Sequence, residues 1–377
     1  MIDAINPDGT LNHAVYDFMG KLNAQRDPYE PFYGGDLQAD VAIYYDKESF
    51  YNPNEQKVRV GQLRAVDDCP HRDAVVGLAR ILREAHIPFG VVTNVNLDQL
   101  KNYRAVMLPT VLEMTAEQAA QFRAFVEAGG VVYASGPSSL DRFDKAGPRY
   151  FLEEVFGVRY TGTEGTRMTY LSPKDDTLQK LLWPQDAFTF AGPMIKAMTL
   201  PGAEVLMAVT LPFVAPELGQ AIGSHFASIH SNPPALTPGT DPGVVINTFG
   251  KGKAVWLAAP IEIGKETVNA HLVAALLQRV LPGPYQFEVD THPSVEMTLF
   301  HQPDKKRLLA GLLSMQQQLP PIPVPATVRV QVPSGKRVTA VAHLPERKPL
   351  KFEVVGPYVQ FKLELFEALS MALVEYQ

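Results

Sequence analysis

The chain has 377 residues and a formal net charge of -6. It is too long for one typical core and lacks the basic field that draws nucleic acid or an anionic membrane. Its single cysteine, Cys69, excludes an internal disulfide, and no apolar run nears the ~20 residues that cross a bilayer. The opening MIDAINPDG has neither a basic leader nor an apolar one, so the reading is a cytoplasmic protein of two or three domains.

Residues 1–38 begin with a turn, NPDG at Asn6 to Gly9, and a helix expected over Leu11 to Gln25. Leu11, Val15, Phe18 and Leu22 form one apolar stripe on that helix, and the stripe calls for a partner. Pro28, Pro31, Gly34 and Gly35 read as a connector. Asp40 to Tyr45, DVAIYY, is the first strand of an α/β unit. The next helix starts at Pro70, where a missing N–H is harmless, and runs to about Ala85 with Val75, Leu78, Ala79 and Leu82 as its apolar face. Phe89 to Val92, Ala105 to Leu108 and Val131 to Ala134 are short apolar runs of buried-strand length. The last two enclose a helix that opens with a capping box, Thr115 and Gln118, and ends at Gly129-Gly130. Such alternation predicts a parallel sheet flanked by helices.

Beyond Leu152 to Phe156, a Pro- and Gly-rich region runs to about Asp241 and contains one strand-like run, Val205 to Val209. Ser231 to Gly243 reads as a surface loop. Val244 to Ala258 is a hairpin turned by Phe249-Gly250-Lys251-Gly252-Lys253, and a helix over Val268 to Leu281 closes the domain. From Tyr285 onward VEMTLF, RLLAGLLS, ATVRVQV, RVTAVAHL, LKFEVV, YVQFKLEL and MALVEY follow at close spacing, the pattern of an all-β sandwich. The boundaries are 1–38 for the N-terminal helix and connector, 39–283 for the α/β domain and 284–377 for the sandwich.

The order DVAIYY, helix, PFGVVT, AVMLPTV, capped helix, AGGVVYASG resembles the middle, trimerisation module of family 42 β-galactosidases and related glycoside hydrolases. MIDAINPDGTL, SHFASIHSNPP and FGKGKAVWLAAPIE extend the resemblance over most of the chain. That module is itself similar to class I glutamine amidotransferases, which implies a flavodoxin-like sheet. In such enzymes a catalytic (β/α) barrel precedes the module and a β-sandwich follows it. Here only Met1 to Gln25 resembles the barrel's last turn and helix. A working amidotransferase has a nucleophilic Cys in the turn after the strand matching Val131 to Ala134, and here that turn reads Ser135-Gly136-Pro137-Ser138. It also lacks the leading Gly of a serine nucleophile motif, so both hydroxyls are expected to cap the loop.

Other constellations have plain readings. Asp67, Asp68, Cys69, His71 and Asp73 crowd the start of a helix and are explained by capping; adjacent residues do not converge on one metal. His225 and His230, five apart, fall on opposite faces of a strand. Glu262 and Glu266, four apart, are expected on a solvated helix face. No glycosidase carboxylate pair is assignable. The first functional reading is a non-catalytic assembly module of a β-galactosidase-like glycoside hydrolase, a homo-oligomer for which the resemblance favours a trimer, working beside a catalytic barrel domain or chain. It assigns no catalytic residue, cofactor or metal, and no nucleic acid or membrane partner. The second is a stand-alone carbohydrate-related hydrolase with its site at the carboxyl ends of the strands, its candidate residues being Cys69, His71 and His230. A strand-end pocket lined by Cys69 or a His favours the second reading.

Overall fold

The computed structural model describes residues 4–51, 70–141, 144–166, 168–182, 187–190, 192, 194–213, 233–318 and 320–377. Two compact units divide it, one of residues 39–285 and one joining 1–38 to 286–377. The N-terminal segment carries α1 (His13–Arg26), capped by Asn12, whose side chain accepts from the Val15 N–H. None of the residues of α1 is buried, and Leu11, Phe18 and Leu22 are each about half exposed. The helix starts at His13, so Leu11 lies before it, and the stripe read from the sequence is only partly covered among the described residues. A short strand, β1 (Asp36–Leu37), pairs antiparallel with residues 300–301 of the second unit's C-terminal part.

The unit of residues 39–285 is built on β2 (Val41–Tyr45), β3 (Phe89–Thr93), β4 (Ala105–Pro109) and β5 (Val131–Ser135). All the residues of β4 and β5 are buried, as continuous apolar runs covered on both faces must be. Between them come α2 (Lys47–Tyr51), α3 (Pro70–Glu84) and α4 (Ala116–Glu127). The α4 capping box forms, with Thr115 Oγ1 accepting from the Gln118 N–H and Gln118 Oε1 from the Thr115 N–H. Ala119, Phe122 and Val126 are the buried face of α4, and Phe122 meets Tyr44 edge-on at 5.1 Å. A two-residue pairing, β6 (Leu140–Asp141) with β7 (Arg149–Tyr150), precedes α5 (Glu153–Phe156). Then follow β8 (Val158–Glu164), β9 (Thr169–Pro173), α6 (Asp176–Leu181), β10 (Phe188–Phe190), β11 (Met194–Thr199), β12 (Glu204–Thr210), β13 (Pro242–Phe249), β14 (Gly252–Leu257) and α7 (Thr267–Val280).

The main sheet has nine strands in the order β10-β9-β12-β13-β14-β5-β4-β2-β3. It is parallel from β14 to β3 and antiparallel from β13 to β10. The parallel sheet expected from the sequence is thus one part of a mixed sheet. The cause is the tight turn before β14, where Gly250 takes a positive φ of 58°. A reversal that short can only place β13 beside β14 in the antiparallel sense, because a parallel neighbour needs a long crossover.

The C-terminal strands are β15 (Phe287–Asp290), β16 (Val295–Gln302), β17 (Arg307–Ser314), β18 (Val324–Gln331), β19 (Val338–Leu344), β20 (Lys348–Pro349), β21 (Phe352–Val355), β22 (Tyr358–Phe366) and β23 (Leu369–Tyr376). They form two antiparallel sheets, β1-β16-β17-β23-β19-β20 and β15-β18-β22-β21. Each of the seven runs read from the sequence supplies one strand. Burial alternates along β18, so Val324, Ala326, Val328 and Val330 face a core shared with Leu299, Leu312 and Phe361. Gln302 donates to the carbonyls of Phe32, Tyr33 and Gly34, and Arg307 to that of Pro31, which ties the N-terminal segment to this unit.

Candidate functional site

The carboxyl ends of β4, β5 and β14 are where an open α/β sheet binds ligands, and a pocket of about 610 Å³ lies there. Its lining includes Leu112, Pro137, Leu140, Ile195, Pro260 and Ile263, with Thr110 and Gly136 from the strand ends. The residues lining it include no cysteine, histidine or charged side chain among those described.

Ser135 ends β5 and is fully buried. Its Oγ accepts from the Thr110 N–H at 3.3 Å and donates to Glu262 Oε1 in a short hydrogen bond. Tyr133 OH donates to the other oxygen, Oε2, at 3.0 Å. Glu262 sits in a 3-10 turn, Ile261–Ile263, directly after β14, and has no exposure. This corrects the expectation of a solvated helix face. The turn ends before α7 begins, so Glu262 and Glu266 share no helix, and Gly77 lets α3 lie directly on the turn. A Cβ at Gly77 would stand 2.1 Å from the Glu262 carbonyl oxygen. Burial pushes the Glu262 carboxyl up to about 7, opposed by the hydrogen bonds from Ser135 and Tyr133.

Serine hydroxyls also occupy the loop after β4. Ser138 Oγ accepts from the Val111 N–H at 3.0 Å and contacts the Leu108 and Ser135 carbonyls at 2.6 and 2.8 Å. Ser49 Oγ accepts from the N–H groups of Leu112 and Glu113, both at 2.9 Å. The four successive N–H groups of residues 110–113 are therefore all taken by Ser135, Ser138 and Ser49. Free N–H groups in such a turn would make an oxyanion hole; these hold a loop. Thr110 is left with a positive φ of 49°, a strained position for a β-branched residue.

His71, a candidate of the second reading, is fully buried at the start of α3. Its Nε2 accepts from the Asp46 N–H at 2.9 Å, and Nδ1 lies 2.7 Å from the Pro109 carbonyl oxygen. A carbonyl only accepts, so Nδ1 carries the proton and the ring is neutral. Burial lowers its pKa, against smaller opposing effects of the Pro109 hydrogen bond and the Asp46 charge. Both nitrogens are engaged, and the ring stacks on Tyr45 at 5.8 Å. Cys69 and His230, with Asp67, Asp68 and His225, lie outside the described residues. No cluster of three His, Cys, Asp or Glu among the described residues could hold a metal ion, and no helix among them is long and apolar enough to cross a membrane.

The network that sequence reasoning missed is Tyr133, Ser135 and Glu262. Two signals were available: Glu262 stands between Ile261 and Ile263, and Gly77 interrupts the apolar face of α3.

The described geometry is a mixed α/β sheet with Ser135, Glu262 and His71 engaged at its strand ends, followed in sequence by an antiparallel sandwich. The model of the Beta-galactosidase trimerisation domain matches residues 39–282, and the chain belongs to that family. Among solved structures, the chain is similar to the α-L-fucosidase isoenzyme 2 from Paenibacillus thiaminolyticus, with a TM-score of 0.76 and 22% identity over 99% of this chain and 54% of that one. It is also similar to a catalytic mutant of Gan42B, a GH42 β-galactosidase from G. stearothermophilus (TM-score 0.63, 15% identity, 99% of this chain and 46% of that one). A third similar structure is the β-galactosidase from Bacillus circulans sp. alkalophilus (TM-score 0.61, 12% identity, 98% and 46%). At these identities the likeness is one of fold. The chain spans about half the length of these solved relatives. No curated protein matches it.

Proposed function

We propose that this chain is a non-catalytic assembly module of a β-galactosidase-like glycoside hydrolase, holding subunits together as a trimer through the α/β unit. In this reading the parallel half of the sheet is a flavodoxin-like, class I amidotransferase-like core that has kept the strand ends and lost the nucleophile. Residues 1–38 are a remnant resembling the end of a barrel, residues 39–283 the assembly domain and residues 284–377 the sandwich. The chemistry belongs to a catalytic barrel on the same or another chain, in a reducing cytoplasmic setting suited to the single Cys69.

The observation that carries the reading is the engagement of Ser135, His71 and the N–H groups of residues 110–113 at the strand ends, among the described residues. Ser135 is buried against Glu262, both nitrogens of His71 are bonded, and the N–H groups of residues 110–113 are filled. Family membership supports the assembly role. Light scattering after size-exclusion chromatography at micromolar concentration tests it: a mass near three times 41.5 kDa is expected, and a peak that stays at the monomer mass on concentrating refutes it. Turnover of nitrophenyl β-galactoside or α-fucoside that survives repurification and disappears on a point substitution in this chain would overturn the non-catalytic half.

A further inference from the structure

Among the described residues, the strand-end pocket is lined by no charged side chain, cysteine or histidine. At about 610 Å³ it lies within the size range of ligand sites, and its lining is mostly apolar. Ile195 on β11 and Ile263 after β14 lie among the lining residues, with the aromatic rings of Tyr160 and Phe190. Three side-chain hydroxyls belong to the lining. Tyr160 OH and Thr163 Oγ1 lie 3.3 Å apart and pair with each other. Thr110 is 3% exposed, and its Oγ1 has no hydrogen-bond partner among the described residues. That oxygen lies 3.9 Å from where a Cβ on Gly136, another lining residue, would stand. A buried hydroxyl without a partner costs stability unless something supplies one.

We infer that this pocket binds a small, neutral, mostly apolar molecule of one or two rings, carrying one hydroxyl or carbonyl group that pairs with Thr110. The exclusions follow from the same lining. A carboxylate or ammonium ion would be desolvated with no opposite charge among the described lining residues to meet it. A free monosaccharide brings more hydroxyls than Thr110, Tyr160 and Thr163 can satisfy. An aromatic or alicyclic ring fits the apolar wall, and one polar atom matches the one unpaired hydroxyl.

The test titrates the full chain with 2-naphthol, followed by calorimetry and by NMR of the isoleucine methyl groups. Binding with a dissociation constant of about 0.1–1 mM is expected of a fragment of this size, with the Ile195 and Ile263 methyl signals shifting at saturation. The anion 2-naphthoate and free galactose should bind at least tenfold more weakly. Ile195→Trp fills the pocket, and Thr163→Trp fills it from an exposed position that spares the core; either variant, once shown folded by circular dichroism, should lose the binding. The proposal is overturned if 2-naphthol leaves those methyl signals unmoved, if naphthoate or galactose binds as well, or if binding survives in a folded filled variant.

Discussion

Glu262 offers the sharpest test of the strand-end geometry. Its carboxyl is pushed from about 4.5 in an open chain to about 7 by burial. Below pH 4.5 the acid is protonated in both folded and unfolded chains, and the burial costs nothing extra. Between pH 4.5 and 7 the unfolded chain ionises while the folded one holds its proton, so stability falls by about 1.4 kcal/mol per pH unit. Above pH 7 the folded carboxyl ionises too, and the loss levels off at about 3 kcal/mol. His71 pulls the other way. Its lowered pKa gives stability present above about pH 6.5 and lost as pH falls, because only the unfolded ring takes up the proton.

Comparison with Glu262→Gln separates the two. The amide has nearly the same shape, remains neutral and leaves His71 untouched. Urea denaturation followed through the buried Trp256 should show the two proteins within about 1 kcal/mol of each other at pH 5. By pH 8 the variant should have gained about 3 kcal/mol relative to the parent, the full linkage term. Parallel stability curves from pH 5 to 8 would refute the reasoning and place the Glu262 carboxyl in water.

Three further substitutions probe the same corner. Ser135→Ala removes one of the hydrogen bonds that hold the Glu262 pKa down, so the upper edge of the pH window just described should rise while its lower edge, set by the unfolded chain, stays in place, read by the same denaturation series. Gly77→Ala would place a Cβ 2.1 Å from the Glu262 carbonyl oxygen; forcing two backbones apart should cost about 3 kcal/mol and lower the midpoint of thermal unfolding. His71→Ala leaves the Asp46 N–H and the Pro109 carbonyl without their buried partner, a loss of about 2–5 kcal/mol; an unchanged urea midpoint would show that the ring does not join those strands.

Much of the fold was legible because local physics and tertiary packing agree there. Thr115 and Gln118 cap α4 as their spacing requires, and the runs around residues 43, 107 and 133 are buried strands because nothing polar interrupts them. The sandwich was readable from alternation alone, as Val324, Ala326, Val328 and Val330 record one face of β18. Strand order was not legible. Whether β13 extends the sheet or leaves it depends on contacts between distant residues, and period-2 patterning says nothing about which neighbour a strand chooses. The apolar stripe of α1 was read correctly as apolar, and its exposure could not be read, because burial belongs to the surroundings of a helix and not to its spacing.

The site failed to show itself for a related reason. A carboxylate in a sequence is read as solvated because most are, and Glu262 departs from that only because three distant elements meet on it. Tyr133 and Ser135 reach it from β5, and Gly77 brings α3 down over it. The serines were expected to cap the loop, and Ser138 does so; Ser135 caps the same loop and also donates to the buried acid. A hydroxyl at a strand end beside a carboxylate with a pKa near neutrality has the makings of a nucleophile and its base. Here the missing ingredient is access. With Ser135 enclosed, His71 bonded at both nitrogens and the N–H groups of residues 110–113 filled, the groups that would perform catalysis in an open turn hold three strand ends together instead. The assembly role proposed above would call for such a fixed strand end, and the same groups would account for it.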